Sequence, residues 1–268
     1  MTKYEMIVMD MDDTLLTSDN EVSSKTAQYL INLQEEGYHV VLASGRPTEG
    51  MLPIARSLKL NEHDSYVISY NGGRITRVKD GELEDEKSVS KEDFDKIVDF
   101  CRENNLFVLT YQDGHIIYEG THEYMNIESE LTGLPMKKVD DIKSFIQNPV
   151  PKAMGVDYVP HIEEIFQSLD GRFNEHVDVT TSKPYFLEFM AHGVSKGNAL
   201  RALCKKEDID ISKTIAFGDS LNDYSMIEAA GYSVAMGNAK EELKEAADYV
   251  TLDHDSDGIV AALEKILK

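Results

Sequence analysis

Apolar runs alternate with helix-like segments in the first part of the chain. The runs that predict buried strands are Tyr4–Met9, His39–Ala43 and Tyr66–Ser69. Between them, the pattern predicts a helix capped by Ser23 or Ser24 and a second helix over residues 49–58. This spacing predicts parallel crossovers in a doubly wound, mostly parallel Rossmann-like sheet.

The pattern changes from about Leu83. Strand-like runs over 107–111 and 115–118 are joined by Gln112-Asp113-Gly114, which predicts a hairpin. Adjacent antiparallel strands do not fit a parallel sheet, so we interpret this stretch as an inserted α+β cap domain. The predicted boundaries are 1–83 for the first part of the core, 84–188 for the cap and 189–268 for the second part of the core.

The α/β alternation resumes after the cap. Ser195-Lys196-Gly197 opens a predicted helix. A predicted strand over 214–217 then ends in Gly218-Asp219-Ser220-Leu221-Asn222-Asp223. Shorter strands and helices are predicted from there to the closing amphipathic helix over 258–267.

Three predicted strands end in polar loops, which contain Asp10 and Asp12, Ser44-Gly45, and Asp219 with Asn222 and Asp223. If the strands are parallel, these loops meet at one edge of the sheet, where ligands collect. Carboxylates spaced two apart at a strand end point to one side and repel each other, which favours a divalent cation between them. The alternatives are a solvated acidic loop around Asp10 and Asp12 and a helix-capping turn at Asp219.

This combination of residue types fits phosphate chemistry. Asp10 and Asp219, with the backbone carbonyl of Asp12, would supply oxygen ligands to Mg²⁺. Ser44 and the following N–H would donate to phosphate oxygens, and Lys196 is the candidate cation. Taken alone, Ser44 is ordinary loop composition and Lys196 an ordinary surface residue.

Composition limits the partners. With 49 acidic and 27 basic residues, the formal charge is −22, and no basic cluster offsets it. Nucleic acid and anionic membranes are therefore not expected as partners. Cys101 and Cys204 lie in helical patterns and are expected to be core residues.

The N-terminal apolar run is interrupted at Asp10, unlike a signal peptide, and no run approaches the ~18 apolar residues of a membrane helix. We therefore expect a soluble cytoplasmic protein, either a monomer or a homodimer.

Several motifs in order resemble those of the haloacid dehalogenase superfamily, more narrowly its Cof-type, sugar-phosphatase-like branch. They are Asp10-Met11-Asp12-Asp13-Thr14-Leu15, Ser44-Gly45-Arg46-Pro47, Tyr70-Asn71-Gly72, Lys196-Gly197 and the loop 218–223. The resemblance extends from Lys3 to the C-terminal helix and includes the cap. One departure is Asp13, at a position that is often glycine in this branch; we expect its side chain to point away from the metal.

The resemblance implies a role for each of these residues. Asp10 would attack phosphorus and form an aspartyl-phosphate, and Asp12 would protonate the leaving alcohol and then activate water. The groups implied to hold the phosphoryl oxygens are the N–H groups of Met11 and Gly45 and the side chains of Ser44, Lys196 and Asn222. The implied Mg²⁺ ligands are Asp10, the carbonyl of Asp12 and Asp219, with Asp223 in support. Candidates to contact the leaving group are Arg46, Asn71 and cap tyrosines such as Tyr118, Tyr124 and Tyr185.

We therefore expect a Mg²⁺-dependent phosphatase acting on small phosphorylated metabolites, with sugar phosphates as the expected class. The alternatives are a phosphosugar mutase, a receiver-like regulatory phospho-acceptor and a binding protein that has lost catalysis. A receiver module is about half this length and has no cap, and intact Asp10 and Asp12 disfavour a non-catalytic protein.

Overall fold

A parallel sheet is built around the strand that precedes Asp10. The computed structural model describes residues 4–268, so residues 1–3 of the predicted first core segment lie outside the described residues. The strands, in chain order, are β1 (Met6–Met9), β2 (His39–Ala43), β3 (Tyr66–Ser69), β4 (Arg74–Arg77), β5 (Leu83–Glu86), β6 (Phe107–Gln112), β7 (His115–Tyr118), β8 (Met136–Lys138), β9 (Ala153–Val156), β10 (Val177–Thr180), β11 (Phe186–Ala191), β12 (Thr214–Gly218), β13 (Tyr232–Ala235) and β14 (Tyr249–Val250).

The helices connect these strands in the predicted alternation. They are α1 (Ser24–Glu35), α2 (Thr48–Ser57), α3 (Lys91–Glu103), α4 (Ile127–Thr132), α5 (Ile142–Phe145), α6 (Val159–Leu169), α7 (Lys196–Lys206), α8 (Tyr224–Ala229), α9 (Glu241–Ala246) and α10 (Gly258–Ile266). Serine caps open several of them: Ser23 Oγ accepts the Thr26 N–H at 3.1 Å, and Ser195 Oγ accepts the Asn198 N–H at 3.1 Å. No helix within residues 4–268 combines the length and apolar composition that crossing a bilayer requires.

The chain divides into two units. The core contains the residues up to Asp85 and the segment Ser195–Lys268, and the cap is Glu86–Val194. The second boundary therefore lies after Val194 rather than after residue 188, because β11 pairs antiparallel with β9 and β10 and belongs wholly to the cap sheet. The first boundary lies after Asp85, within β5, rather than after residue 83.

The core is an eight-stranded sheet in the order β14-β13-β12-β1-β2-β3-β4-β5. The pairs from β14 to β3 are parallel, and β3–β4 is antiparallel. All four residues of β1 are buried, as expected for a strand covered on both faces. The predicted α/β class with a mostly parallel core sheet is confirmed.

The cap has a six-stranded sheet in the order β10-β11-β9-β6-β7-β8, mostly antiparallel. The predicted hairpin joins β6 and β7, and its two loop residues, Asp113 and Gly114, have φ of 51° and 70°. Positive φ at both positions is what a type I′ turn requires. A separate apolar cluster, which includes Phe94, Ile97 and Phe189, forms the interior of the cap.

A matched pair of leucine truncations tests the packing of the core. Leu30, in α1, is fully buried, and Leu252 is 53% exposed. Because truncation leaves a cavity only at the buried site, Leu30→Ala should lower the free energy of unfolding by ~2–5 kcal/mol. Leu252→Ala should change it by less than ~0.5 kcal/mol. Urea unfolding followed by circular dichroism measures both, and equal losses would contradict the fold.

Candidate active site

The loops that follow β1, β2 and β12 leave the core sheet at the same edge. Met9, at the end of β1, lies beside Leu42 of β2 and Phe217 of β12 in the register of the sheet. Because the three strands are parallel, the loops that follow them begin at this common edge. These loops carry most of the predicted site residues, in the segments 10–12, 44–46 and 219–223.

Lys196, the first residue of α7, is fully buried at the centre of this edge. Its Nζ donates to Oδ1 of Asp223 at 2.6 Å and to Oδ1 of Asp10. The other oxygen of Asp223 accepts the backbone N–H groups of Asp219 at 3.0 Å and Ser220 at 3.1 Å. Both oxygens of Asp223 are therefore engaged within the protein, and this residue orders the loop that carries Asp219.

The charges around Lys196 do not balance. Burial raises the pKa of Asp10 well above its usual value, and the carboxylate of Asp223 adds to the effect, while Lys196 opposes it. Burial and Asp223 raise the pKa of Asp219 to about 6. Burial opposes the charge on Lys196, but Asp10 and Asp223 outweigh it and raise the pKa of the ammonium group. The single ammonium group of Lys196 therefore does not neutralise the three carboxylates of Asp10, Asp219 and Asp223, and excess negative charge remains in a poorly solvated place.

The donors present fit a hard divalent cation. Asp10, Asp219 and Asp223 each offer a carboxylate oxygen, and these atoms lie within 4.8 Å of one another. Thr14 Oγ1 donates to Oδ1 of Asp219 at 2.9 Å and orients that carboxylate. Mg²⁺ takes oxygen ligands and is commonly held by one or two carboxylates. Since Asp223 is occupied by Lys196 and backbone amides, Asp10 and Asp219 are the carboxylates left for an ion.

Asp12 lies outside this carboxylate cluster. Arg46 donates to it through two nitrogens, Nε to Oδ2 at 3.0 Å and Nη2 to Oδ1 at 2.5 Å. The side chain of Asp12 is 49% exposed. The hydrogen bond to Asp12 raises the pKa of Arg46, although burial opposes the charge. We expected a metal ion between the side chains of Asp10 and Asp12, but the cation that faces the Asp12 carboxylate is a guanidinium.

Asp13 has a backbone conformation that suits glycine. Its φ is 56°, in the left-handed region, which aspartate also tolerates. Its side chain is 68% exposed, and its carbonyl accepts a hydrogen bond from Asn238 Nδ2 at 2.8 Å. The turn at Asp13 thus redirects the chain while the extra negative charge faces solvent.

The residues predicted to hold a phosphoryl group lie on adjoining loops of the core. Ser44 is buried, and its Oγ accepts the N–H of Arg46 at 3.1 Å. Asn222 Nδ2 donates to Oδ1 of Asn71 at 3.1 Å. Met11 is fully buried.

Two supporting residues were missed in the sequence. Thr14 orients Asp219, and Asn238 holds the carbonyl of Asp13. Thr14 was visible within the first motif, but its partner is 205 positions away in the chain. Asn238 lies in the polar segment after β13, where composition alone indicates a loop.

The cap tyrosines fall into two environments. Tyr124 belongs to an aromatic cluster with Tyr185, at 5.8 Å between ring centroids, and with Tyr158, at 5.3 Å. Tyr118 packs on Phe107 at 5.6 Å. Tyr158 was not among the tyrosines singled out from the sequence, and its ring contacts are with His122 and Tyr124, which come from one other segment of the cap.

A doubly wound α/β core with these acidic loops and an inserted α+β unit is typical of the haloacid dehalogenase superfamily. The sequence matches the profile of the haloacid dehalogenase-like hydrolases over residues 7–263. The chain therefore belongs to this family, in its Cof-type branch.

Individual relatives match over almost the whole chain. The putative phosphatase YxeH of Bacillus subtilis is 31% identical over 269 residues, which cover 98% of this chain and 98% of YxeH. The 5-amino-6-(5-phospho-D-ribitylamino)uracil phosphatase YcsE of the same organism is 28% identical over 97% of this chain and 94% of its own. The crystal structure of a haloacid dehalogenase-like hydrolase from Bacteroides thetaiotaomicron superposes with a TM-score of 0.92 at 38% identity, covering 98% of this chain and 99% of that chain. The chain is thus a phosphatase of the hydrolase class.

Removing the buried cation should destabilise the protein in a pH-dependent way. In metal-free buffer at pH 7.5, Lys196→Met should lower the free energy of unfolding by ~3–5 kcal/mol, because it leaves buried carboxylates unpaired. The folded-state pKa of Asp219, about 6, lies above the ordinary value of 3.8 for this side chain, so the carboxylate is ionised and repelled above pH 6 and takes up a proton below it. The loss should therefore be smaller at pH 5.

The matched control is Lys205→Met, which removes an exposed lysine of the same helix. It should change the free energy of unfolding by less than ~0.5 kcal/mol at both pH values. Urea unfolding at pH 5 and pH 7.5 gives the comparison. A loss for Lys196→Met that does not change with pH would contradict the charge balance described above.

Proposed function

We propose that this protein is a Mg²⁺-dependent phosphatase that hydrolyses small phosphorylated metabolites by transfer of the phosphoryl group to Asp10. The observation that carries the proposal is the different environment of two carboxylates on one loop. Asp10 is buried against Lys196, whereas Asp12 is half exposed on Arg46. One environment suits a nucleophile and the other a proton carrier.

Asp10 acts as the nucleophile. The ammonium group of Lys196 holds Oδ1 of Asp10, which limits rotation of the carboxylate and leaves its second oxygen to attack phosphorus. In-line displacement depends on such alignment more than on a strong nucleophile. The bond between phosphorus and the leaving oxygen breaks as the bond to Asp10 forms.

Asp12 moves the proton. It protonates the leaving alcohol oxygen in the first step. In the second step it takes a proton from the water that attacks phosphorus, and the bond between phosphorus and Asp10 breaks to release inorganic phosphate. The two hydrogen bonds from Arg46 orient its carboxylate in the free enzyme. Arg46 is therefore also placed to contact the leaving group beside Asp12.

Mg²⁺ would be held by Asp10, the backbone carbonyl of Asp12 and Asp219, with Asp223 supporting the loop. When bound, the ion neutralises charge on the transferring phosphoryl group and orients it. The excess negative charge around Lys196 supports this assignment.

The remaining phosphoryl contacts come from this chain. The groups proposed to hold the phosphoryl oxygens are the N–H groups of Met11 and Gly45, the hydroxyl of Ser44, the ammonium of Lys196 and the amide of Asn222. Donors fixed in place before the reaction stabilise the charge of the transition state without reorganisation.

The proposed substrates are phosphate monoesters of polyols or sugars. The relative YcsE is named for a substrate with a phosphorylated ribityl chain, which is such a monoester. A screen of phosphate release over a panel of phosphorylated metabolites with Mg²⁺ tests this proposal. A phosphosugar mutase would instead release little phosphate and need a bisphosphate activator.

Neighbouring aspartates provide matched variants for the chemistry. Asp10→Asn should abolish phosphate release, and Asp12→Asn should lower kcat by ~10²–10⁴-fold, because general acid–base catalysis is lost. Asp13→Asn makes the same change at an exposed carboxylate whose left-handed backbone also suits asparagine, and kcat should change by less than about threefold. Steady-state phosphate release measures all three variants. If Asp10→Asn still turns over substrate, Asp10 is not the nucleophile.

Metal removal gives an independent test. EDTA should stop phosphate release, and added Mg²⁺ should restore it. Asp219→Asn should raise the Mg²⁺ concentration needed for half-maximal rate, since it removes one proposed ligand. Full activity in metal-free buffer would overturn the assignment of the cation.

A further inference from the structure

The turn that follows β3 contains three consecutive residues with positive φ. The values are 52° for Tyr70, 56° for Asn71 and 105° for Gly72. A bulky residue such as tyrosine rarely adopts this conformation. Strained backbone of this kind persists only where neighbouring structure fixes it, and it is frequent at functional sites.

The turn is fixed on the loop that carries Ser44. The N–H of Asn71 donates to the carbonyl of Ser44 at 2.9 Å, and the N–H of Tyr70 donates to the carbonyl of Arg46 at 3.0 Å. The side-chain amide of Asn71 also covers Gly45, since a Cβ on Gly45 would lie 3.2 Å from Oδ1 of Asn71. Asn71 therefore occupies the space beside the proposed N–H donor of Gly45.

The same turn contacts the start of α7. A Cβ on Gly72 would lie 2.3 Å from the carbonyl oxygen of Ser195 and 3.1 Å from the backbone nitrogen of Lys196. Glycine is thus required here both by its φ and by the closeness of this backbone. The turn touches the segment that begins with Lys196.

The third contact is with Asn222. Its Nδ2 donates to Oδ1 of Asn71 at 3.1 Å, across 151 positions of the chain. An amide nitrogen carries two hydrogens, so this bond fixes the plane of the Asn222 amide while one N–H stays available to a ligand. Asn222 is itself exposed, and its Oδ1 has a longer contact of 3.4 Å with Ser220 Oγ.

We infer that Asn71 is a positioning residue, which acts on the phosphoryl group through Asn222 by fixing the orientation of its amide. This inference rests on the proposed function. It assigns Asn71 a role different from direct contact with the substrate, which was the expectation from the sequence. If Asn71 acts by positioning Asn222, replacing Asn71 should have little effect on activity once Asn222 has been removed. If Asn71 contacts the substrate directly, replacing it should have the same effect with or without Asn222.

A double-mutant cycle separates the two roles. Asn71→Gly removes the amide and keeps a residue that accepts the left-handed backbone. Asn222→Ala should lower kcat/KM by ~10–10²-fold, since it removes a proposed donor to the phosphoryl oxygens. Asn71→Gly should lower kcat/KM about tenfold in the wild-type background and less than about twofold in the Asn222→Ala background.

The matched control is Asn20→Gly, which makes the same change at another asparagine with positive φ, 59°, in an exposed loop. It should leave kcat/KM within about twofold of the wild type. If Asn71→Gly does not fold, Asn71→Ser replaces it, because its hydroxyl is too short to reach Asn222, and the same coupling is expected.

The cycle is also measured without turnover, by calorimetric titration of each variant with inorganic phosphate in the presence of Mg²⁺. Equal weakening by Asn71→Gly in both backgrounds, or no weakening in either, would overturn the inference. Coupled phosphate affinities in a protein that hydrolyses no metabolite of the panel would support the role of Asn71 while the proposed function fails.

Discussion

The site depends on one buried ammonium group. Lys196 is fully buried and is held by Asp10 and Asp223, which come from loops 213 positions apart in the chain. A lysine without partners in such a place would lose its proton or destabilise the fold, so its carboxylate partners must be present. The sheet order, with β1 between β2 and β12, is what brings these loops to one edge. The interaction that satisfies the buried lysine therefore also holds Asp10, the proposed nucleophile.

Asp10 and Asp12 lie in different environments, and the different roles proposed for them rest on this difference. They are two positions apart, yet one is buried against an ammonium group and the other lies half exposed on a guanidinium. The left-handed turn at Asp13 follows directly and is held by Asn238. Left-handed backbone conformations also occur in the turn 70–72, where they place Asn71 between the loop that carries Gly45 and the loop that carries Asn222. In both places, backbone geometry decides what an ordinary side chain can do.

The sequence was informative where the pattern is local. The apolar strands β1, β2 and β3, the Asp113-Gly114 hairpin and the polar loops after β1, β2 and β12 were predicted from periodicity and turn residues. The short strands β4, β5 and β8 were not, because they are mostly polar and lack the alternation that indicates a strand. The helix α5, of four residues, was missed for a similar reason.

The local sequence pattern did not predict the long-range contacts of the site. Nothing near Asp223 in the chain indicates that its two oxygens bind Lys196 and the amides of its own loop. The pairing of Arg46 with Asp12 and of Asn222 with Asn71 likewise depends on how separate loops meet. Sequence could predict which residue types gather at this edge, whereas their partners follow only from the folded chain.

The most direct test of this account is to trap the phosphoryl group on the protein. The Asp12→Asn variant, incubated with acetyl phosphate and Mg²⁺ and quenched in acid, is analysed by mass spectrometry of its peptides. Acetyl phosphate has a leaving group that needs little help from an acid, so transfer should proceed while hydrolysis is slow. The predicted result is one added phosphoryl group per chain, on Asp10. Protein without this modification, or with the group on another residue, would contradict it.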